Sequence, residues 1–130
     1  MSVLLISEVD LHVVEEQFSN TKEVNAGFDI YDRTCFQITD GCSTAYAIIY
    51  DLFDECPELA RFFVPQEYRH GGFGTSAAVS LLNHLFETKT QVLIDPVEES
   101  IGFWSKVEVA FDGGLDYEEI DGCKGIWKKI

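Results

Sequence analysis

At 130 residues the chain has the length of a single domain, 1–130, and its 46% hydrophobic and 13% aromatic content can fill a core, which excludes a disordered chain. Nine Lys and Arg against 23 Asp and Glu leave a formal net charge of −14. Such a surface repels nucleic acid and anionic membranes and favours cationic partners, among them amines and lysine-rich protein surfaces.

No apolar run reaches bilayer length, and Val3-Leu4-Leu5-Ile6 is interrupted by Ser7-Glu8-Val9-Asp10, so the expected location is the cytoplasm. Cys35, Cys42, Cys56 and Cys123 form no CxxC pair, and with His12, His70 and His84 they do not reproduce zinc-ligand spacing. Free thiols and no metal are expected.

In chain order, residues 3–6 read as a short strand and residues 8–19 as a helix carrying Val9, Val13, Val14 and Phe18. The pattern is weak from Asn20 to Arg33. The period then becomes two: Thr34–Thr39 and Thr44–Phe53 are predicted strands joined at the turn signal Asp40-Gly41. The second places Tyr46, Ile48, Tyr50 and Leu52 on one face. After the turn Asp54-Glu55-Cys56-Pro57, a third strand is predicted over Leu59–Val64, completing an antiparallel meander.

Phe73, Ala77, Ala78, Leu81, Leu82, Leu85 and Phe86 recur at helical spacing. Gln91–Ile94 is a short strand with the apolar character of one buried on both faces. Asp95-Pro96-Val97-Glu98 signals a helix start, and that helix is predicted to reach about Val107, burying Val97, Ile101, Trp104 and Val107. Val109–Phe111 and Gly125–Ile130 are predicted as closing strands. The fold class is α/β with a mixed sheet.

Chemistry concentrates in Val64-Pro65-Gln66-Glu67-Tyr68-Arg69-His70-Gly71-Gly72-Phe73-Gly74-Thr75, between a strand and an amphipathic helix. Glycines there allow a tight turn, and the N–H groups of the helix's first turn point at whatever anion approaches. A P-loop is excluded because no Lys lies in the segment, and Gly72-Phe73-Gly74 lacks the third glycine of a dinucleotide fingerprint.

Arg69-His70-Gly71-Gly72-Phe73-Gly74 resembles the Q/R-x-x-G-x-G/A signature of the GNAT superfamily of N-acetyltransferases. Pro65-Gln66-Glu67-Tyr68 resembles that family's lead-in, and Phe103-Trp104-Ser105-Lys106 and Gly125–Ile130 fall in its order. The likeness runs from about Thr34 to the C-terminus.

The resemblance implies a GNAT-like mixed sheet that binds coenzyme A. Gly71, Gly72, Phe73, Gly74 and Thr75 would hold the diphosphate, with Arg69 and His70 beside them. Val64 would pair with the pantetheine arm, in the gap between its strand and Gln91–Ile94. The implied reaction is direct attack of an amine, on a small cationic molecule or a lysine-bearing protein, on acetyl-CoA in a ternary complex. Whether the chain forms a homodimer stays open.

Trp104 stands where the family often has a tyrosine acid, and Glu108-Val109 replaces its Gly-Phe. An indole donates a hydrogen bond but is no useful acid. Glu55, Glu58 and Tyr50 are therefore the nominated catalytic groups, with Asp51 and Tyr46 behind them, and Trp104 is assigned to the cofactor side. The alternative is a catalytically weak acyl-CoA-binding or protein-interaction module of the same fold.

Overall fold

Alternating apolar residues produce a seven-stranded sheet in a computed structural model that describes residues 4–18, 33–50, 56–68, 71–94, 101–111, 113–121 and 124–129. The strands are β1 (Leu5–Val9), β2 (Arg33–Thr39), β3 (Thr44–Tyr50), β4 (Glu58–Phe63), β5 (Gln91–Ile94), β6 (Leu115–Asp121) and β7 (Lys124–Lys129). They lie in the order β1-β2-β3-β4-β5-β7-β6, and every neighbouring pair is antiparallel except β4 with β5. The helices are α1 (Leu11–Phe18), α2 (Phe73–Phe86) and α3 (Ile101–Ala110), with a short 3-10 turn over Gln66–Tyr68.

The turn at Asp40-Gly41 forms as expected. Gly41 takes φ 94°, and Asp40 Oδ1 accepts the N–H groups of Cys42 at 2.8 Å and Ser43 at 2.7 Å. Those bonds favour the charged carboxylate and hold Asp40 below its ordinary range, Ser43 contributing most.

β3 is buried on both faces, which its sequence divides by size. Ala45, Ala47 and Ile49 pack with Phe36, Ile38, Leu59, Val92, Ile94 and Trp127 beneath α2 and α3. Alanines there let α2 lie close to the sheet with its own Ala77, Ala78, Leu81, Leu82 and Leu85. Leu81 and Leu82 are fully buried, each contributing about 1.5–3 kcal/mol by leaving water. The opposite face gathers Cys35, Tyr46, Ile48, Tyr50 and Phe63 around Val14 of α1.

Two predicted boundaries move. β1 runs through Ser7 and Glu8 to Val9 rather than ending at Ile6, because pairing with β2 carries polar residues along an edge strand. α3 continues to Ala110, so Val109 is helical and 88% exposed instead of opening a strand, and Phe111 turns inward. The strand before the last is β6, reached through Gly113 (φ 89°) and Gly114 (φ 84°). Its acidic residues hide its alternation from a reading by hydrophobicity. Trp104 and Val107 are buried as predicted, whereas Ile101, in the first turn, is exposed. Leu52 and Val97 lie outside the described residues.

Candidate functional site

The chain leaves β4 at Phe63, passes Val64 and the buried Pro65, and turns over Gln66–Tyr68, where Tyr68 donates its N–H to the Pro65 carbonyl at 2.9 Å. α2 then opens at Gly72, whose φ of 79° is left-handed and suits glycine. A Cβ at Gly71 or Gly72 would meet nothing within 4 Å, so this corner faces open space. The first bond of the helical ladder is Ser76 N–H to Gly72 O at 3.2 Å. The amides of Phe73, Gly74 and Thr75 precede that ladder, at the positive end of the helix dipole. No acidic residue lies in this first turn to compete for them.

Gly74 serves a different purpose. A Cβ there would stand 3.3 Å from both Val64 Cγ2 and Phe103 Cε1. Its absence lets the first turn of α2 close against the end of β4 and against α3. Phe103 stacks on Phe62 at 5.7 Å and meets Trp104 edge-on at 5.0 Å. Trp104 is 7% exposed and also packs against Phe62 and Trp127, so its ring belongs to the core under the junction. Phe103, quoted in the sequence only within the Phe103–Lys106 stretch and given no role there, is the aromatic that reaches the glycine corner.

Beside this corner the sheet opens. β4 and β5 pair only at Glu58–Leu93 and Leu59–Ile94, supported by the Leu93 N–H donated to Pro57 O at 2.9 Å. β4 then runs on to Phe63 along β3 alone among the described strands, and its register shifts between Ile48 and Ile49 so that Ala60 is the extra residue. A bulge of this kind bends a strand and changes the aim of its backbone groups. The arrangement sets the amides that open α2 just beyond a stretch of β4, after Leu59, that pairs with β3 and with no other described strand.

On the face away from α2, register assembles a row that distance in sequence conceals. Arg33 lies opposite Tyr50, and Tyr50 lies opposite Glu58. Directly opposed residues share a face with Cβ atoms about 5 Å apart. Tyr50 is buried, while Arg33 and Glu58 are half-buried. Two of the nominated catalytic residues are thus adjacent, and Arg33 joins them without having been foreseen. No local pattern links these strands; only their pairing does. Arg61 follows one row along, opposite Ile48.

Tyr46 sits on the same face, opposite Phe63. Burial, together with nearby Tyr68 and Glu67, raises its phenol above the ordinary range. Burial also raises the Cys56 thiol, opposed by Lys128. Cys35, Cys42 and Cys56 form no disulfide among the described residues. Glu55, Asp51, Arg69 and His70 lie outside the described residues. Among the described residues no three His, Cys, Asp or Glu side chains gather as a metal site, and no helix is long and apolar enough to cross a membrane.

The sequence matches no protein-family model and no curated protein. Its structure resembles several solved acetyltransferases. The ribosomal-protein-S18-alanine N-acetyltransferase of Escherichia coli superposes with a TM-score of 0.62 at 15% identity, over 96% of this chain and 90% of that one. A Bacillus subtilis acetyltransferase solved with CoA gives 0.62 at 10% identity, over 98% and 99%. The spermidine/spermine N-acetyltransferase of Vibrio cholerae gives 0.63 at 11%, over 97% and 92%. A Desulfovibrio desulfuricans protein of the GNAT family also matches, at 0.59 and 10%, over 97% of each chain. These superpositions over nearly the whole chain give it the fold of the GNAT N-acetyltransferases.

Proposed function

We propose that the protein is an acyl-CoA-dependent N-acetyltransferase that acetylates an amine, either a small cationic molecule or a lysine on a protein. One observation carries this reading: an open glycine corner with helix-dipole amides stands at the end of a strand that diverges from its parallel neighbour. The residues fit coenzyme A. Gly71 and Gly72 leave space for a bulky diphosphate, and Gly74 brings the first turn of α2 against Val64.

In this reading the amides of Gly72, Phe73, Gly74 and Thr75 bind the diphosphate, with Arg69 and His70 adding positive charge beside it. Val64 and the end of β4 hold the pantetheine arm as another strand would. Acetyl-CoA, when bound, would supply the activated acetyl thioester, whose C–S bond breaks as the C–N bond to the amine forms, the coenzyme A thiolate leaving to take up a proton from solvent. An amine attacks only when neutral, yet a lysine-type amine has a pKa of about 10.4 and is charged at pH 7. Glu58 accepts that proton, directly or through water, and Tyr50 orients the carboxylate from the opposite strand. Glu55, nominated from sequence beside the same strand, is the second candidate base. The acidic surface concentrates cationic acceptors near the site.

A second reading has a specific observation behind it. Trp104 fills the family's usual tyrosine position and is packed among Phe62, Phe103 and Trp127, so α3 offers no hydroxyl there. This supports a coenzyme A-binding domain with weak catalysis. A positioned acid is worth about 10²–10⁴-fold in rate, so its loss slows an acetyltransferase without abolishing it. Release of free thiol from acetyl-CoA with a panel of polyamines and lysine peptides separates the two. Acceptor-dependent release that Glu58→Gln removes supports the enzyme; acetyl-CoA binding without acceptor-dependent release leaves the binding domain.

A further inference from the structure

β6 ends the sheet, pairing with β7 on one side and with no further strand among the described residues. An edge strand turns alternate backbone N–H and C=O groups outward, a template for an added strand, here over Leu115–Glu119, before the register of β6 on β7 shifts at Ile120. Its sequence, Leu-Asp-Tyr-Glu-Glu-Ile-Asp, places carboxylates at 116, 118, 119 and 121. Asp116 through Glu119 are exposed, and apolar surface lies among them, with Tyr117 40% and Ile120 52% exposed.

The inner edge shows which chemistry this strand accepts. β7 carries Lys124, Lys128 and Lys129, and register puts Asp116 opposite Lys128 and Asp121 opposite Lys124. Lys128 Nζ lies 3.8 Å from Glu118 Oε2. Glu119 is opposite Gly125, which brings it no charge from across the pair. The acidic strand therefore already pairs with a lysine-rich one and keeps negative charge to spare.

We infer that the outer edge of β6 docks a lysine-bearing extended segment of a partner protein as an added strand. Main-chain bonds give the pairing, the carboxylates select lysine, and Tyr117 and Ile120 cover the lysine stems. A second copy of this chain is the wrong occupant. β6 against β6 would set carboxylates against carboxylates between two bodies of net charge −14. The inference does not rest on coenzyme A binding and is tested without it.

The test is fluorescence anisotropy of the full chain with a labelled peptide of about ten residues alternating Lys and Val. Two comparisons accompany it. One peptide has alternate amides N-methylated, which keeps the charge and blocks strand pairing; one protein carries Asp116→Asn and Glu119→Gln together. Saturable binding that weakens at least about tenfold in each comparison is expected, with slowed hydrogen exchange along 115–121 on binding. Equal binding of the N-methylated peptide would reduce the effect to charge and overturn the inference. So would absent binding, protection elsewhere, or self-association of the protein through β6.

Discussion

The two halves of the candidate site are built from different material. The corner where β4 meets α2 is made of backbone: a left-handed Gly72, amides ahead of the helical ladder, and a Gly74 whose missing Cβ admits Val64 and Phe103. The row across β2, β3 and β4 is made of side chains, Arg33, Tyr50 and Glu58, brought together by register. A backbone site tolerates change in everything except its glycines and spacing. A side-chain site depends on which residues the pairing sets opposite each other. The difference predicts that substitutions in the row alter turnover, while substitutions in the corner alter binding and folding.

The largest expected effect comes from the row. Glu58→Gln should lower kcat by about 10²–10⁴-fold while leaving acetyl-CoA affinity unchanged, as steady-state kinetics beside calorimetry would read. Tyr50→Phe should lower kcat less. Parallel losses in affinity would show that the two halves are not separable.

Next, Gly74→Val forces a branched side chain where a single Cβ already lies 3.3 Å from Val64 and Phe103. A cost of about 1–3 kcal/mol in chemical denaturation is expected, with weakened acetyl-CoA binding in the fraction that folds. Adding Phe103→Leu should recover part of the stability, because the two residues share one space. No recovery would mean that the α2–β4 approach is set elsewhere.

Gly72→Ala should cost about 1–2 kcal/mol through its left-handed backbone, and Gly72→Asn less, since asparagine adopts that conformation more readily. Because open space surrounds this residue, crowding cannot explain a loss. Equal stability of the alanine variant would remove the backbone argument for this corner.

Legibility followed the same division. The Gly71–Thr75 corner could be read from sequence, because glycine spacing before an amphipathic helix encodes backbone geometry locally. The α2 stripe and Gln91–Ile94 were legible for the same reason, their periodicity being strong and uninterrupted. Arg33 was not, since seventeen positions separate it from Tyr50 and only strand pairing makes them neighbours. β6 was obscured by its carboxylates: the alternation begun by Leu115-Asp116-Tyr117-Glu118 breaks off at the adjacent Glu119, and the strand is exposed along Asp116–Ile120. Phe103 was overshadowed by Trp104, whose position in the family pattern drew attention to the residue that packs in the core.

The smallest expected effect concerns Tyr46, on the row's face but outside the row. Its phenol titrates above the ordinary value of about 10 because burial penalises the phenolate. Above pH 10 the unfolded chain therefore loses this proton first, and stability falls as pH rises toward the folded value. Denaturation between pH 8 and 11 should show a shallower decline for Tyr46→Phe than for the parent. Identical slopes would show that this phenol is not held by its surroundings.

The proposed function stands or falls with binding of an acyl-CoA diphosphate at the glycine corner. Calorimetric titration with acetyl-CoA of the parent and of Gly72→Glu, with circular dichroism confirming that the variant folds, tests it most directly. Binding by the parent and its loss in the variant are expected, because a carboxylate there would face the diphosphate. Absence of binding by the parent at millimolar ligand, or undiminished binding by the folded variant, would contradict it.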